Sequence, residues 1–212
     1  MNKLIDLDGI IFDVDGTLWD ATDEVANSWN MTISQLPKQI DTKVDSDMLR
    51  ALFGKTMSDI CKAIFPTMSE AEQLEFGDRL FDTENEWLET HPGTIYEGVY
   101  ETLEKLSKQV PLFVVSNCQQ GYIEIMLEAT KMQEFFRGQL CYGDTLTSKG
   151  KTIRTLMKQY NLKNVVYIGD TQGDADACAE ADVPFIFASY GFGDVPDAKD
   201  KINDIRELLN DE

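Results

Sequence analysis

The stretch IIFDVDGTL at positions 10–18 places two carboxylates, Asp13 and Asp15, directly behind three apolar residues. An apolar run that ends at a glycine turn is typical of a strand buried on both faces, and such strands belong to parallel α/β sheets. Ligands of these sheets bind at the carboxyl ends of the strands. Because an unpaired charge is costly to bury, the pair predicts a chemical role, and its spacing is that of a metal-dependent aspartyl nucleophile.

The same D-x-D-G pattern occurs at positions 6–9, without a strand before it or a Thr-Leu pair after it. Asp and Gly are also ordinary turn residues, so the bare pattern has a structural interpretation as well as a catalytic one. Context decides between the two. We predict that Asp6 and Asp8 form a solvated lead-in, and that Asp13 and Asp15 are functional.

The composition predicts a globular, acidic protein. Of the 212 residues, 42% are hydrophobic, which is enough for a substantial core. A net charge of −19 makes nucleic acid and anionic membrane surfaces poor partners. The chain shows no signal-peptide pattern and no apolar run of membrane-spanning length. We expect a soluble cytoplasmic protein in which a bound metal provides the positive charge for an anionic substrate.

Cysteine and histidine usage narrows the chemistry further. The cysteines form no C-x-x-C pair and lie in or beside apolar segments, which predicts buried thiols in a reducing compartment. They are Cys61, Cys118, Cys141 and Cys178. The single histidine, His91, directly precedes Pro92 and Gly93, so we interpret it as a linker residue. A His-rich zinc site and a Ser-His-Asp triad are therefore disfavoured.

Strand-like and helix-like segments alternate after residue 93, which predicts a doubly wound parallel sheet of the α/β class. The expected strands are 10–14, 112–115, 139–142, 165–168 and 185–188. The helical segments among them are 96–107, 122–130, 152–160 and 174–181.

From residue 19 to residue 90 the sequence has helical periodicity and no convincing strand. The predicted helices there are 21–36, 47–53, 57–65 and 69–88. Pro37 and Pro66 separate them, and Ser69 with Glu72 predicts a capping box. We expect a helical insert that folds back over the catalytic loop as a lid; a helical subdomain remote from the site is the alternative.

Two further polar clusters are expected near the first. Ser116 and Asn117 follow the predicted strand 112–115, where a hydroxyl and backbone amides can bind a phosphoryl oxygen. Lys149 and Lys151 open the next helix, where a cation opposes the helix dipole and calls for a neighbouring anion. A lysine here could join the nucleophile to a phosphate.

The segment GDTQGD at positions 169–174 follows the predicted strand 165–168 and supplies Asp170 and Asp174. With the first pair of aspartates, these residues would give an all-oxygen site, which suits a hard cation such as Mg²⁺. Two acidic turns on strands that can be neighbours are hard to explain as solvated charge.

With these elements in this order, the chain resembles the haloacid dehalogenase superfamily, specifically its phosphatases with a helical cap inserted after the first motif. The resemblance rests on DVDGTL at 13–18, Ser116-Asn117, Lys149-Gly150, GDTQGD at 169–174 and the segment at 92–106, which is similar to the family's return from cap to core. It implies a Rossmann-like core of residues 1–18 and 92–212, and an α-helical cap of residues 19–91.

The resemblance also implies a role for each residue. Asp13 would be the nucleophile that forms an aspartyl-phosphate, and Asp15 the acid that protonates the leaving oxygen and then the base that activates water. Mg²⁺ would be held by Asp13, the Asp15 carbonyl and Asp170. Asp174 would either coordinate the ion itself or hold one of the groups that do. The phosphoryl group would be bound or neutralised by Thr17, Ser116, Asn117 and Lys149.

Two details concern specificity and departures from the family. Many relatives place a proline after the catalytic lysine, whereas this chain has Lys149-Gly150-Lys151; Lys149 is preferred, and Lys151 stays a candidate. Gly54-Lys55 resembles the turn by which relatives choose their substrates, so Lys55 is a candidate substrate contact, although a lone exposed lysine is usually solvated.

The leading hypothesis is a Mg²⁺-dependent phosphatase acting on a small phosphorylated metabolite, with phosphoglycolate and sugar phosphates as candidates. Asp15 favours phosphate-ester chemistry over dehalogenation, which protonates no alkoxide. A β-phosphoglucomutase-like phosphotransferase keeps all four motifs and is the alternative. A non-enzymatic phospho-receiver module is disfavoured, because Asp15 would speed loss of the phosphate and such a module needs no insert.

Overall fold

The computed structural model describes residues 6–35 and 42–209. Pro37, one of the predicted helix breaks, and the last position of the predicted helix 21–36 lie outside these ranges. The strands are β1 (Gly9–Phe12), β2 (Trp19–Asp20), β3 (Thr94–Ile95), β4 (Leu112–Ser116), β5 (Phe136–Cys141), β6 (Val165–Gly169), β7 (Phe185–Ala188) and β8 (Lys201–Ile202). The helices are α1 (Thr22–Ser34), α2 (Ser46–Arg50), α3 (Met57–Ile64), α4 (Glu70–Leu88), α5 (Val99–Leu106), α6 (Tyr122–Thr130), α7 (Tyr142–Thr145), α8 (Lys149–Tyr160) and α9 (Gln172–Ala181), with 3-10 turns at Gln133–Phe135 and Ile205–Leu209.

The main sheet is parallel, with the strand order β5-β4-β1-β6-β7-β8, which confirms the predicted doubly wound α/β class. β1 lies inside it, with Ile11 paired to Phe113 of β4 and to Tyr167 of β6. Ile10 and Phe12 join the apolar core under α5 and α6, whereas Ile11 faces the core under α8 and α9. The carboxyl ends of β1, β4 and β6 therefore meet at one edge between two helical layers.

The chain leaves the main sheet after β1 and returns to it through a separate two-stranded sheet. β2 and β3 pair in antiparallel fashion, with Trp19 opposite Ile95 and Asp20 opposite Thr94. The close approach requires Gly93, because a Cβ atom there would lie 2.8 Å from the Asp20 carbonyl oxygen. Between these strands α1, α3 and α4 pack on one another, and their buried apolar side chains continue the core under α5 and α6.

Several boundaries differ from the predictions. β2 lies in the stretch 19–90, where the sequence predicts no strand, because two residues are too few to show a period. β5 begins at Phe136, and Tyr142, predicted as its last residue, opens α7 instead. The side chains of this edge strand are mostly half-exposed, so it lacks a continuous apolar run. α5 begins at Val99 rather than at position 96, because Gly98 precedes it with a left-handed φ of +81°.

Other local predictions are confirmed. The capping box of Ser69 and Glu72 starts α4. The four cysteines are free and buried. His91 is exposed between α4 and β3, where its ring stacks on Trp87 at a centroid distance of 3.8 Å. Across the described part of the chain, no helix is long and apolar enough to cross a membrane.

The first copy of the D-x-D-G pattern has a structural role. The Asp8 carboxylate accepts hydrogen bonds from the backbone N–H groups of Lys163 at 2.7 Å and Asn164 at 2.9 Å. Donation from Asn164 and then from Lys163 lowers the pKa of Asp8. Asp6 and Asp8 are both exposed, as expected of a solvated lead-in, whereas Gly9 already belongs to β1.

Candidate active site

Three neighbouring strands bring predicted site residues to one edge of the sheet. Asp13 follows β1, Ser116 is the last residue of β4, and Asp170 follows β6. The Asp13 N–H donates to the Ile168 carbonyl oxygen of β6 at 2.8 Å, which fixes the start of the loop to the neighbouring strand. Asp13, Ser116 and Asp170 are all buried, so the surrounding chain has to satisfy their polar atoms.

Three buried carboxylates form a group that can hold a metal ion. Asp13, Asp170 and Asp174 each offer an oxygen, and these oxygens lie within 4.8 Å of one another. Burial, followed by the charge of Asp174, raises the pKa of Asp13 to about 6. The same causes raise the pKa of Asp170 well above its usual range. Mutual repulsion among buried carboxylates favours a bound cation, and oxygen ligands suit a hard divalent one.

A single buried ammonium partly compensates this cluster. Lys149 Nζ donates to Asp13 Oδ1 at 2.8 Å and to Asp174 Oδ1, and it lies 5.4 Å from the centre of the Tyr167 ring. Burial opposes its charge, yet Asp13 and Asp174 raise the pKa of Lys149, so it is cationic. The side chain of Lys151 is exposed, away from the cluster. One ammonium cannot balance three carboxylates, and the remaining negative charge matches a divalent ion.

Asp174 is oriented by the helix that carries it. Its Oδ2 accepts hydrogen bonds from the Thr171 N–H at 3.0 Å and the Thr171 hydroxyl at 2.7 Å, which caps α9. Its Oδ1 faces Lys149 and lies 3.4 Å from the Tyr167 hydroxyl, which donates to the Val115 carbonyl oxygen at 2.7 Å. The cap therefore sets the direction of this carboxylate from the backbone of its own helix.

Asp170 is held from both sides. Its Oδ2 accepts the Phe192 N–H at 2.7 Å, and its Oδ1 accepts the Thr17 hydroxyl at 3.3 Å. Gly16, with a φ of +81°, leaves room for it, because a Cβ atom there would lie 2.0 Å from Asp170 Oδ2. Thr17 is fully buried, and its hydroxyl is directed at Asp170.

Asp15 points away from the three-carboxylate group. Its Oδ1 accepts hydrogen bonds from the Tyr122 hydroxyl at 2.7 Å and from the Trp19 indole N–H at 3.0 Å. Burial raises the pKa of Asp15 well above its usual range, although these two hydrogen bonds act in the opposite direction. A raised pKa suits a carboxyl group to donating a proton, which general acid catalysis requires.

The loop after α2 lies directly over this edge of the sheet. The side-chain amide of Asn117 donates to the Gly54 carbonyl oxygen at 2.7 Å. A Cβ atom at Gly54, which has a φ of +89°, would lie 3.2 Å from the Thr171 side chain. Phe53 meets Phe192 edge to face at 6.2 Å. Segment 19–91 thus contacts the site in this structure, rather than lying remote from it.

A small pocket separates this loop from Asp15. Lys55 is exposed and lies at the pocket, as do Ser116 and Asn117. Glu84 of α4 forms part of the wall, and burial raises its pKa to about 7. A second carboxyl group therefore stands close to Asp15 without belonging to the metal-binding group.

The sequence profile of the haloacid dehalogenase-like hydrolases matches residues 10–188, which is most of the chain. The chain belongs to this family. The predicted family and the predicted enzyme class, a phosphatase of the haloacid dehalogenase-like hydrolases, are thereby confirmed.

Relatives of this hydrolase include phosphoglycolate phosphatases from two bacteria. The one from Agrobacterium fabrum is 28% identical over 199 residues, covering 88% of this chain and 82% of that protein. The one from Pseudomonas fluorescens is 26% identical over 195 residues, covering 86% and 70%. A haloacid dehalogenase-like family hydrolase from Streptococcus pneumoniae has the same fold, with a TM-score of 0.81, 20% identity and coverage of 99% and 98%.

Side chains outside the motifs of this haloacid dehalogenase-like hydrolase escape sequence analysis. Trp19 and Tyr122 hold Asp15, and Glu84 and Gln119 face it across the small pocket. A signal for Glu84 is nevertheless present, since it interrupts a buried row at four-residue spacing along α4. That row is Phe76, Leu80, Glu84 and Leu88.

Proposed function

We propose that this hydrolase is a Mg²⁺-dependent phosphatase of small phosphate monoesters that works through an aspartyl-phosphate on Asp13. The observation that carries the proposal is the buried group of three carboxylates around the Lys149 ammonium. Residues 19–91 act as the cap over a core of residues 1–18 and 92–212. We also place the enzyme in the cytoplasm, in keeping with its free, buried thiols.

The residues present fit Mg²⁺. Asp13, Asp170 and Asp174 offer only oxygen ligands, and their charge exceeds that of the ammonium beside them. When bound, Mg²⁺ would neutralise the charge of the phosphoryl oxygens and of the nucleophile. In the proposed arrangement the Asp15 backbone carbonyl completes the protein ligands.

Chemistry at phosphorus uses two carboxyl groups in turn. A carboxylate oxygen of Asp13 attacks phosphorus and forms the aspartyl-phosphate, while the bond to the leaving oxygen breaks. Asp15 gives its proton to that oxygen, and then takes a proton from the water molecule that attacks the aspartyl-phosphate. The second step releases inorganic phosphate and restores Asp13.

The charge of the transferred group is met by Lys149 and by the end of β4. The Ser116 hydroxyl and the Asn117 backbone amide are the proposed contacts to phosphoryl oxygens; the Thr17 hydroxyl, expected as a third, donates to Asp170 instead. Phosphoryl transfer requires mainly positioning and charge stabilisation, which buried, pre-oriented groups supply. The names of the relatives make phosphoglycolate a candidate substrate, and sugar phosphates are the other class.

The test compares the two copies of the acidic pattern. Asp13→Asn should lower kcat for p-nitrophenyl phosphate by at least about a thousandfold, because an amide cannot serve as the nucleophile. Asp8→Asn is the matched control: the residue is exposed and lies outside the site, so its kcat should stay within about twofold of the unchanged protein. Full activity in the Asp13 variant would overturn the proposal.

Analysis of the products distinguishes hydrolysis from transfer of the phosphoryl group back to the sugar. With a hexose phosphate, the hydrolase should release one inorganic phosphate for each ester consumed. Isomerisation without phosphate release would identify a β-phosphoglucomutase-like transferase instead. Loss of activity with a chelator and its recovery with Mg²⁺ tests the proposed metal.

A further inference from the structure

The pocket beside Asp15 lies where the leaving group of a substrate must sit. Ser116 and Asn117, the proposed phosphoryl contacts, line one end of it, and Asp15, the proposed acid, lines the same cavity. Its volume is about 20 Å³, close to what one water molecule requires. One hydroxyl-sized part of a leaving group can therefore enter this pocket, where it contacts the walls directly.

Gln119, one of the residues that line this pocket, carries a buried acceptor. Gln119 is 9% exposed, and its Nε2 donates to Glu84 Oε1 at 2.9 Å and to Asn85 Oδ1 at 3.0 Å. Its other amide atom, Oε1, is buried and has no hydrogen-bond partner within residues 6–35 and 42–209. An unpaired buried acceptor in a native protein is uncommon and calls for an explanation.

Neighbouring groups fix which amide atom of Gln119 is the acceptor. The Asn85 Nδ2 group donates to the Gln120 carbonyl oxygen at 3.0 Å, so Asn85 must present its oxygen to Gln119. Glu84 accepts the Trp29 indole N–H at 2.6 Å on its Oε2 and meets Gln119 with its Oε1. Turning the Gln119 amide over would set oxygen against oxygen at both contacts, so Oε1 remains the free acceptor.

Besides the proposed acid Asp15, the residues that line the pocket include Glu84 and Gln119, which carry acceptor oxygens, whereas Lys55, the cation among them, is exposed. A leaving group with further hydroxyls can donate to these oxygens. A leaving group that carries a carboxylate would bring a further acceptor to Gln119 and a negative charge close to the Glu84 carboxylate.

We propose that Gln119 and Glu84 determine specificity for the phosphate monoester of a short polyol, and that they disfavour 2-phosphoglycolate. The inference rests on the proposed phosphatase function and names its substrate class. A substrate hydroxyl donates to Gln119 Oε1 and satisfies it. Glu84 fixes the amide in the orientation that makes this possible.

Glycerol 3-phosphate and 2-phosphoglycolate are suitable probes, since their leaving groups are similar in size but carry hydroxyls or a carboxylate. The unchanged protein should show a kcat/KM for glycerol 3-phosphate at least about tenfold above that for 2-phosphoglycolate. Gln119→Met should reduce this ratio by about tenfold or more, because the acceptor is lost. Gln120→Met is the matched control: its side chain bonds Asp144 outside this pocket, so the ratio should persist.

Glu84→Gln provides a second variant with little change in shape. It removes the negative charge that Glu84 carries above its pKa of about 7, so at a pH above that value kcat/KM for 2-phosphoglycolate should rise relative to that for glycerol 3-phosphate. A ratio that stays constant in both variants would mean that these residues serve packing alone, and the proposal would be wrong.

Each probe is also compared with p-nitrophenyl phosphate. If p-nitrophenyl phosphate is hydrolysed but glycerol 3-phosphate is no better a substrate than 2-phosphoglycolate, the specificity proposal fails while the phosphatase stands. If none of the three esters is hydrolysed in the presence of Mg²⁺, the proposed function itself fails.

Discussion

The two sides of the site are built on different principles. On the phosphoryl side, which comprises Asp13, Lys149, Asp170 and Asp174, charged groups stand at strand ends or helix starts and bond to one another or to nearby backbone. On the leaving-group side, which comprises Asp15, Glu84, Gln119 and Tyr122, most residues lie outside such motifs, and one acceptor has no partner among the described residues. Motifs at strand ends and helix starts thus mark the proposed reaction centre, whereas residues outside them form the surface proposed to select the substrate.

After that of the Asp13 variant, the largest expected effect lies on the phosphoryl side and distinguishes its two candidate lysines. Lys149→Met should lower kcat by about a hundredfold or more, because a buried cation in contact with Asp13 is lost. Lys151→Met should leave kcat within about twofold, since its side chain is exposed. Circular dichroism checks that both variants fold. A greater loss in the Lys151 variant would assign the catalytic role to that residue.

A metal on the phosphoryl side should stabilise the fold. At about ten times its Kd, Mg²⁺ should add roughly 1.4 kcal/mol to the free energy of unfolding, which raises Tm by roughly 3–5 °C in a protein of this size. Asp170→Asn should abolish most of the increase. Asp176→Asn, a change at an exposed carboxylate on α9, should keep it. If Mg²⁺ raises Tm equally in the two variants, the ion binds elsewhere.

The leaving-group side should make stability depend on pH. Burial raises the pKa of Glu84 to about 7, above its unfolded value, so the folded state binds its proton more tightly. Stability from this group is present at low pH and is lost as the pH rises through 7, by about 1 kcal/mol between pH 6 and pH 7. Denaturant melts with saturating Mg²⁺ should show this loss in the unchanged protein and not in Glu84→Gln. If the free energy of unfolding depends on pH in the same way in both proteins, Glu84 does not titrate in this range and the prediction is wrong.

The smallest effect concerns an ion pair away from both sides. Arg50 of α2 donates to Asp20 of β2 at 3.0 Å, and both side chains are partly exposed. Arg50→Met should therefore cost at most about 1 kcal/mol, since solvent screens such pairs. Lys108→Met, which removes a more exposed pair with Glu104, is the comparison and should cost less. A greater loss in the Lys108 variant would show that the Arg50 pair adds nothing special.

The same difference explains which site residues can be predicted from the sequence. Apolar runs followed by acids or by Ser-Asn identify β1, β4 and β6, and parallel pairing then brings Asp13, Ser116 and Asp170 to one edge. The same reasoning leaves Lys149 and Lys151 as alternatives, because it does not show which one turns inward. Burial separates them in the structure.

Glu84 and Gln119 escape such reasoning because their partners lie far away in the chain. Glu84 stands in a helix with several other acids, and only its place in a buried row distinguishes it. Gln119 follows a turn where polar residues are common. Their meeting depends on how α4 packs against the loop after β4, which periodicity and propensity do not encode. The short strands β2, β3 and β8 are missed because two residues carry no period.

The pairing of β1 has a consequence for synthesis on the ribosome. Ile10 pairs with Leu112 on one side and with Val166 on the other, so the strand that carries Asp13 is made long before its neighbours. At roughly 5–20 residues per second, the second neighbour follows after roughly ten to thirty seconds. The nascent chain holds this apolar strand without its second neighbour throughout that interval, during which chaperones and unwanted association can compete for it. Asp13, the proposed nucleophile, is thus among the first site residues to be translated, and the strand before it is among the last to be enclosed.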